Sequence, residues 1–297
     1  MENIFDKNNF LNFQDDLKFL INSEIRLKIL GCLYNSSASI KEIEEKTGYS
    51  YSSILDNINK LEQRKFIFSI EDKFYLFNKT KIKLTNVLFF NKSCSFLREN
   101  SDFLNYSLID INIDTIKDLS ALEGSKLIES NNVDLFKATD IFQRSLMGFK
   151  FLKGIFPYFH PRHDDIISYW IDNDCTVELI LPDAVSEAVK NFIKEYVPKS
   201  PNIKNRYVKL KPNDCNIQFA FTVSDKCLVL AFYTKNGQFN QNAVITSTNP
   251  EAIDFGLKLF EEYEKLCGDY VSLEDIIYPN GRGGWLLAPF FLMKTAI

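Results

Sequence analysis

Tyr51, Ser52, Ser53, Asn57 and Lys60 place hydroxyls, an amide and an ammonium group among the apolar residues Ile54, Leu55, Ile58 and Leu61. The apolar four fall at i, i+1, i+4 and i+7, which predicts a helix with one buried stripe and turns the polar five outward. An outward amide pairs with adenine through two hydrogen bonds, while hydroxyl and ammonium groups serve phosphates or single bonds. Lys46, Ser50, Arg64 and Lys73 flank the same stretch. Residues 46–85 carry eight Lys and Arg against four Asp and Glu, a local +4 in a chain whose net charge is −4. Positive charge thus gathers where a nucleic-acid duplex would lie.

The flanking residues supply the elements that such side chains need. Ser39 caps a helix, and Glu42, three residues on, completes a capping box. That helix stops at Thr47-Gly48-Tyr49, where Gly48 takes the left-handed conformation, and Ser50 caps the next one. Residues 66–70 and 74–77 alternate around Glu71-Asp72-Lys73, which predicts two strands and a charged tight turn. Upstream, Ile21, Ile25, Ile29 and Leu33 recur at i+4 and predict a first helix over residues 22–33 with Ser23 as its cap. Helix, helix, turn, helix and hairpin in this order describe a winged helix-turn-helix, which sets the opening turn of its recognition helix in a major groove. The order implies double-stranded DNA as partner. One such helix reads few base pairs, so it also implies a homodimer on two half-sites. Winged helices serve as packing modules too, and a scaffold that uses this one for protein contact is the rival reading.

The 297 residues, 45% apolar and 14% aromatic, suffice for two domains with real cores. Cys32, Cys94, Cys175, Cys215, Cys227 and Cys267 form no Cys-x-x-Cys pair and have no His at ligand spacing. They indicate neither a zinc site nor a disulfide framework, and free thiols suit a reducing cytoplasm. No metal or other cofactor is expected. The acidic start lacks the basic and apolar regions of a secretory signal. No run approaches the roughly 18–20 apolar residues that span a bilayer, so no membrane role is expected. The pattern changes near residue 90, dividing the chain into a winged-helix domain over residues 1–90 and a second domain over 91–280. An apolar tail follows over 281–297, with a cluster from Trp285 to Met293 expected to dock on its own domain or on a second subunit.

In the second domain, helices are predicted over 131–149, 164–170, 184–196 and 250–267. Strands are predicted over 151–159, 175–181 and 206–210, with a hairpin over 217–223 and 227–233 and an edge strand over 242–247. Leu135, Ile141, Leu146 and Phe149 are the expected core of the first of these helices. The alternation describes an α/β layer with both sheet faces covered.

Residues 122–130 (Leu-Glu-Gly-Ser-Lys-Leu-Ile-Glu-Ser), Phe159-His160-Pro161, residues 174–182 (Asp-Cys-Thr-Val-Glu-Leu-Ile-Leu-Pro), residues 228–239 and residues 258–263 carry a family likeness. With the winged helix, they resemble archaeal regulators of the methanogenesis-regulator (FilR) family over about residues 15–268. Where that family shows Trp-Gly ahead of the last helix core, this chain has Phe255-Gly256. The resemblance implies a dimeric transcriptional regulator whose α/β sensor domain is distantly similar to half of a phospholipase D fold. Phospholipase D enzymes use a His-x-Lys-x-x-x-x-Asp motif in two copies, one His attacking phosphate and the other protonating the leaving group. Here Arg162 follows His160 in the Lys slot and Ile167 holds the Asp slot; His163, the only other His, is three residues away. The roles are missing, so no enzyme activity is expected. His160 and Arg162, with Tyr158 before them, still follow a predicted strand, where α/β domains gather ligands. They suggest an anionic effector held by Arg162 and tuned by His160; the alternative is that they form a solvated cap on the next helix.

Overall fold

The computed structural model describes residues 7–107, 119–158, 163–173, 175–196, 208–213, 219–234 and 236–277. The chain divides into two compact units, Met1–Phe89 and Phe90–Ile297.

The first unit contains α1 (Lys7–Ile21), α2 (Glu24–Asn35), α3 (Ile40–Thr47), α4 (Tyr51–Gln63), β1 (Ile67–Ile70) and β2 (Lys73–Leu76). Its caps follow directly from side-chain chemistry. Ser23 accepts from the Arg26 amide. Ser39 accepts from the Glu42 amide while the Glu42 carboxylate accepts from the Ser39 amide at 2.7 Å, a complete capping box. Gly48 ends α3 at φ 72°, where a Cβ would be strained, and its N–H bonds to the Glu44 carbonyl. Ile29, Leu30, Leu33, Ile43, Ile54, Ile58, Leu61 and Ile67 close the core. A two-residue turn, Glu71-Asp72, joins β1 to β2 in antiparallel register, with Ile70 opposite Lys73. A third extended piece, Ala38, bridges Phe74.

Two expectations change here. Residues 7–21 form a helix of their own, and Ile21 ends it, 45% exposed, rather than entering the helix that follows. The boundary expected near residue 90 falls within α5 (Asn78–Glu99), a continuous helix of 22 residues. Thr80 and Leu84 are buried early in it and Phe96 late, a set that no single helical stripe connects.

The second unit is an α/β layer. After α6 (Ser101–Ser107) and a 3-10 turn at Leu119–Leu122, it runs β3 (Lys126–Glu129), α7 (Lys137–Ser145), β4 (Phe151–Ile155), α8 (His163–Asp172), β5 (Thr176–Pro182), α9 (Asp183–Tyr196) and β6 (Val208–Asn213). It closes with β7 (Phe219–Ser224), β8 (Leu228–Phe232), β9 (Ala243–Ser247), α10 (Pro250–Lys265), β10 (Val271–Ser272) and α11 (Leu273–Ile277). Among the described residues the sheet order is β10-β6-β5-β4-β7-β8-β9-β3. β4, β5 and β6 are parallel, joined by the crossover helices α8 and α9, and the other pairings are antiparallel.

Alternation along the strands feeds two cores. Val177, Leu179, Leu181, Val229 and Ala231 face one side with Phe142, Ile167, Trp170 and Ile193. Ile180, Phe219, Phe221, Leu228 and Leu230 face the other with Phe96, Phe255, Leu259 and Phe260. Gly256 lets α10 lie close on the sheet: a Cβ there would sit 2.7 Å from Leu228 Cδ1 and 3.0 Å from Val223 Cβ.

The first expected helix of this domain is shorter than residues 131–149. Asn131 instead closes a turn, its side chain accepting from the Val133 and Asp134 amides, and Leu135 is 63% exposed. Residues 242–247 are not an edge strand, because β3 pairs with the outer side of β9. No described helix is long and apolar enough to cross a membrane. The tail from Gly281 lies outside the described residues.

Candidate functional site

α4 is built as a platform. Ser50 accepts from the Ser53 amide, and its Oγ also lies 3.0 Å from Ser53 Oγ and 3.2 Å from Ser52 Oγ. Glu44 of α3 takes the next free donor, the Tyr51 amide, at 3.0 Å. The opening turn is therefore pinned from both sides before any partner arrives. Ile54, Ile58 and Leu61 face the core. Leu55 is half-buried, at the margin of that stripe.

Of the residues singled out from the sequence, Ser50, Tyr51, Ser52, Lys60, Arg64, Lys46 and Lys73 are exposed, and Ser53 is half-buried. Asn57 is a correction. It is only 7% exposed, and its Nδ2 donates to the Ser53 carbonyl at 2.9 Å, so its amide is spent inside the helix and cannot reach a base edge. The buried set Ile54, Asn57, Ile58 and Leu61 keeps i, i+3, i+4 and i+7 spacing. The face opposite that set carries Ser52, Asp56, Asn59 and Gln63, all exposed. Asn59 and Gln63 are thus the outward amides of α4. A helical wheel centred on Ile54, Ile58 and Leu61 would have found them.

The cations differ in how free they are. Lys60 pairs with Asp56 at 2.5 Å on the helix surface. Lys46 and Lys73 have no ion pair among the described residues; both act on Glu42, whose carboxyl is held below its usual range first by the Ser39 amide and hydroxyl and then by these two charges. Arg64 caps α4, with its guanidinium carbon 4.2 Å from the centroid of the Phe19 ring. Phe68 and Tyr75 stack across the hairpin at 5.4 Å, which stiffens the wing that carries Lys73.

In the second unit, Tyr158 follows β4 at the carboxyl edge of the parallel strands. β8 runs parallel to β4, two strands away, and delivers Tyr233 to the same edge. Phe239 joins them, 4.3 Å from Tyr158 and 5.5 Å from Tyr233 between ring centroids. Burial, and then the neighbouring Tyr233, push the Tyr158 phenol well above its ordinary range, so it stays protonated across physiological pH. Thr139, Gln143, Asn240 and Gln241 line a crevice on one side of Tyr158, and Phe156, Trp170 and Leu181 line another. At this edge the chain leaves β4 toward β5 and leaves β8 toward β9, on opposite sides, and such a divergence is the usual ligand position in open α/β sheets. His160 and Arg162 lie outside the described residues. Among the described residues no group of three or more His, Cys, Asp and Glu is placed to hold a metal ion. Cys32, Cys94, Cys175, Cys227 and Cys267 are free thiols.

Comparison with known proteins matches residues 14–90 to the N-terminal domain, and residues 135–266 to the middle domain, of the methanogenesis regulatory protein FilR1. The FilR1 protein of Methanothrix harundinacea (strain 6Ac) is 21% identical over 252 residues, covering 83% of this chain. The match spans only 56% of that relative's length. Among solved structures, TrmBL2, described as an archaeal chromatin protein with a novel mode of DNA binding, aligns with 88% of this chain and 99% of its own at 12% identity and a TM-score of 0.37. A phosphatidylserine synthase from Haemophilus influenzae Rd KW20 aligns with 50% of this chain and 39% of its own at 10% identity and a TM-score of 0.35.

Proposed function

Because the chain belongs to the FilR1 methanogenesis regulatory family, with that family's N-terminal and middle domains, we propose that it is a cytoplasmic transcriptional regulator that binds double-stranded DNA through α4. The observation that carries this reading is the polar, exposed side of α4, pinned at its opening turn by Ser50 and Glu44 and opposite the buried stripe of Ile54, Asn57, Ile58 and Leu61. Ser50, Tyr51, Ser52 and Ser53 meet the groove first, Asn59 and Gln63 follow along it, and Lys46, Lys60, Arg64 and Lys73 serve phosphates. Two chains act together on two half-sites, since one recognition helix reads too few base pairs to select a site.

A gel-shift titration against genomic fragments at several salt concentrations tests the reading. A regulator keeps sequence preference and shows a steep fall of affinity with salt. Binding with neither property would favour the scaffold. Two chains per site is the expected stoichiometry, and a single chain per site would remove the dimer.

For the α/β unit we propose signal sensing rather than catalysis. The sequence around His160 lacks the Lys and Asp that phosphodiester chemistry needs, whereas Tyr158, Tyr233 and Phe239 form an aromatic edge suited to holding a ligand. An anionic effector would bind there with Arg162. Arg162→Ala should abolish the effector response in a reporter assay, and an unchanged response would remove this site.

A further inference from the structure

The end of α1, the first turn of α2 and the end of α4 meet at one aromatic ring. The Arg26 guanidinium carbon lies 4.3 Å, and that of Arg64 4.2 Å, from the centroid of the Phe19 ring. Arg26 is fixed there, because its Nε donates to the Phe19 carbonyl at 2.8 Å. Phe19 in turn stacks on Phe66, at 5.5 Å between centroids, and Phe66 belongs to the core of the unit. Packing therefore holds two like charges on one ring. Burial first, and the Arg64 charge second, lower the pKa of Arg26. Among the described residues no carboxylate lies within ion-pair distance of either guanidinium, and Asp56, whose charge Arg26 senses, is paired with Lys60. An anion that accepts hydrogen bonds would stabilise two guanidiniums gathered at one ring, and their planar forks match phosphate oxygens.

Resting on the reading of α4 as the recognition helix, we propose that Arg26 and Arg64 clamp one phosphodiester group of the duplex backbone, at the far end of α4 from Ser50. Arg26 brings α2 into the interface. The clamp positions the helix along the groove and carries no base preference itself.

The test uses the full chain, its selected duplex and a scrambled duplex, each titrated at several salt concentrations. Arg26→Ala and Arg64→Ala should each weaken binding about tenfold on both duplexes, keep the ratio between them, and reduce the slope of log affinity on log salt by about one. Arg26→Lys, which keeps charge but loses the fork, should retain the slope and lose part of the affinity. Arg64 is exposed at a helix cap, so Arg64→Ala supplies the same readout if Arg26→Ala weakens the fold in a thermal melt. Wild-type affinity and slope in the folded variants would overturn the clamp. Arg26-dependent binding of inorganic phosphate, with duplex affinity untouched by either variant, would overturn it in favour of a free-anion site. A wild-type chain that binds neither duplex would refute the recognition-helix reading instead.

Discussion

Asn57 and Asn59 stand two residues apart on α4 and have opposite environments. Asn57 is buried with its amide bonded to Ser53, while Asn59 faces outward. Asn57→Ala should cost about 1–2 kcal/mol of stability, through one lost hydrogen bond and an emptied site, and leave base preference intact. Asn59→Ala should leave stability within about 0.5 kcal/mol and relax preference at one base pair by about 1–3 kcal/mol. Thermal melts and selection from a random-duplex pool read the two effects separately; a specificity change in Asn57→Ala without loss of stability would reverse the assignment. Glu42 supplies a pH dependence. Its carboxyl is lowered from 4.5 by the Ser39 hydrogen bonds, so the stability it adds is present above that pH and is lost as pH falls through the lowered value. The melting temperature of Glu42→Gln should therefore converge with that of the wild type in acid and lie below it at neutrality.

Among the elements, α3 and α4 depend on their first residues. Ser39→Ala and Ser50→Ala should each cost about 1 kcal/mol. Ser50→Ala should in addition slow or weaken duplex binding, because the opening turn loses the hydroxyl that orders Ser52 and Ser53. Urea titration gives the first quantity and the gel shift the second. α10 depends on Gly256. A methyl there meets the β-branched Cβ of Val223 at 3.0 Å, which cannot rotate away, so Gly256→Ala should destabilise the α/β unit by about 1–3 kcal/mol. An unchanged urea midpoint would mean that α10 shifts on the sheet at little cost. The capped helices and the hairpin were legible because their signals are local: a Ser three residues before a Glu, a Gly after a helix, alternation around two acids. α1 was overlooked in the sequence, although Asp6 precedes its 15 residues and Phe13, Leu17 and Leu20 recur at helical spacing. The turn at Asn131 was read as helix because the helical reading was carried back across it from the apolar residues downstream, while the Asn side chain binds the local backbone instead.

For the whole molecule, α5 is the informative element. Leu84 is part of the core of the first unit and Phe96 of the second. Phe96→Ala should destabilise the α/β unit by about 3–5 kcal/mol and Leu84→Ala the winged helix by about 2–5 kcal/mol. Hydrogen exchange resolved along the chain distinguishes them, since each variant should lose protection in its own core; equal loss in both cores from either variant would show that they unfold as one. The candidate sites were legible to different degrees. The opening turn of α4 was visible from its cap and spacing. The Tyr158, Tyr233 and Phe239 group was visible only in part, as Tyr158, because the sheet brings together residues that are distant in sequence.

The sequence by itself determined the winged-helix order, its caps, the location of its positive charge and the α/β alternation, because each rests on contacts between near neighbours in the chain. Only the tertiary structure decided that β9 is covered by β3 and that Arg26 and Arg64 share one ring. Those outcomes depend on which surfaces meet across long separations, and hydrophobic spacing along one element carries no information about the element packed against it.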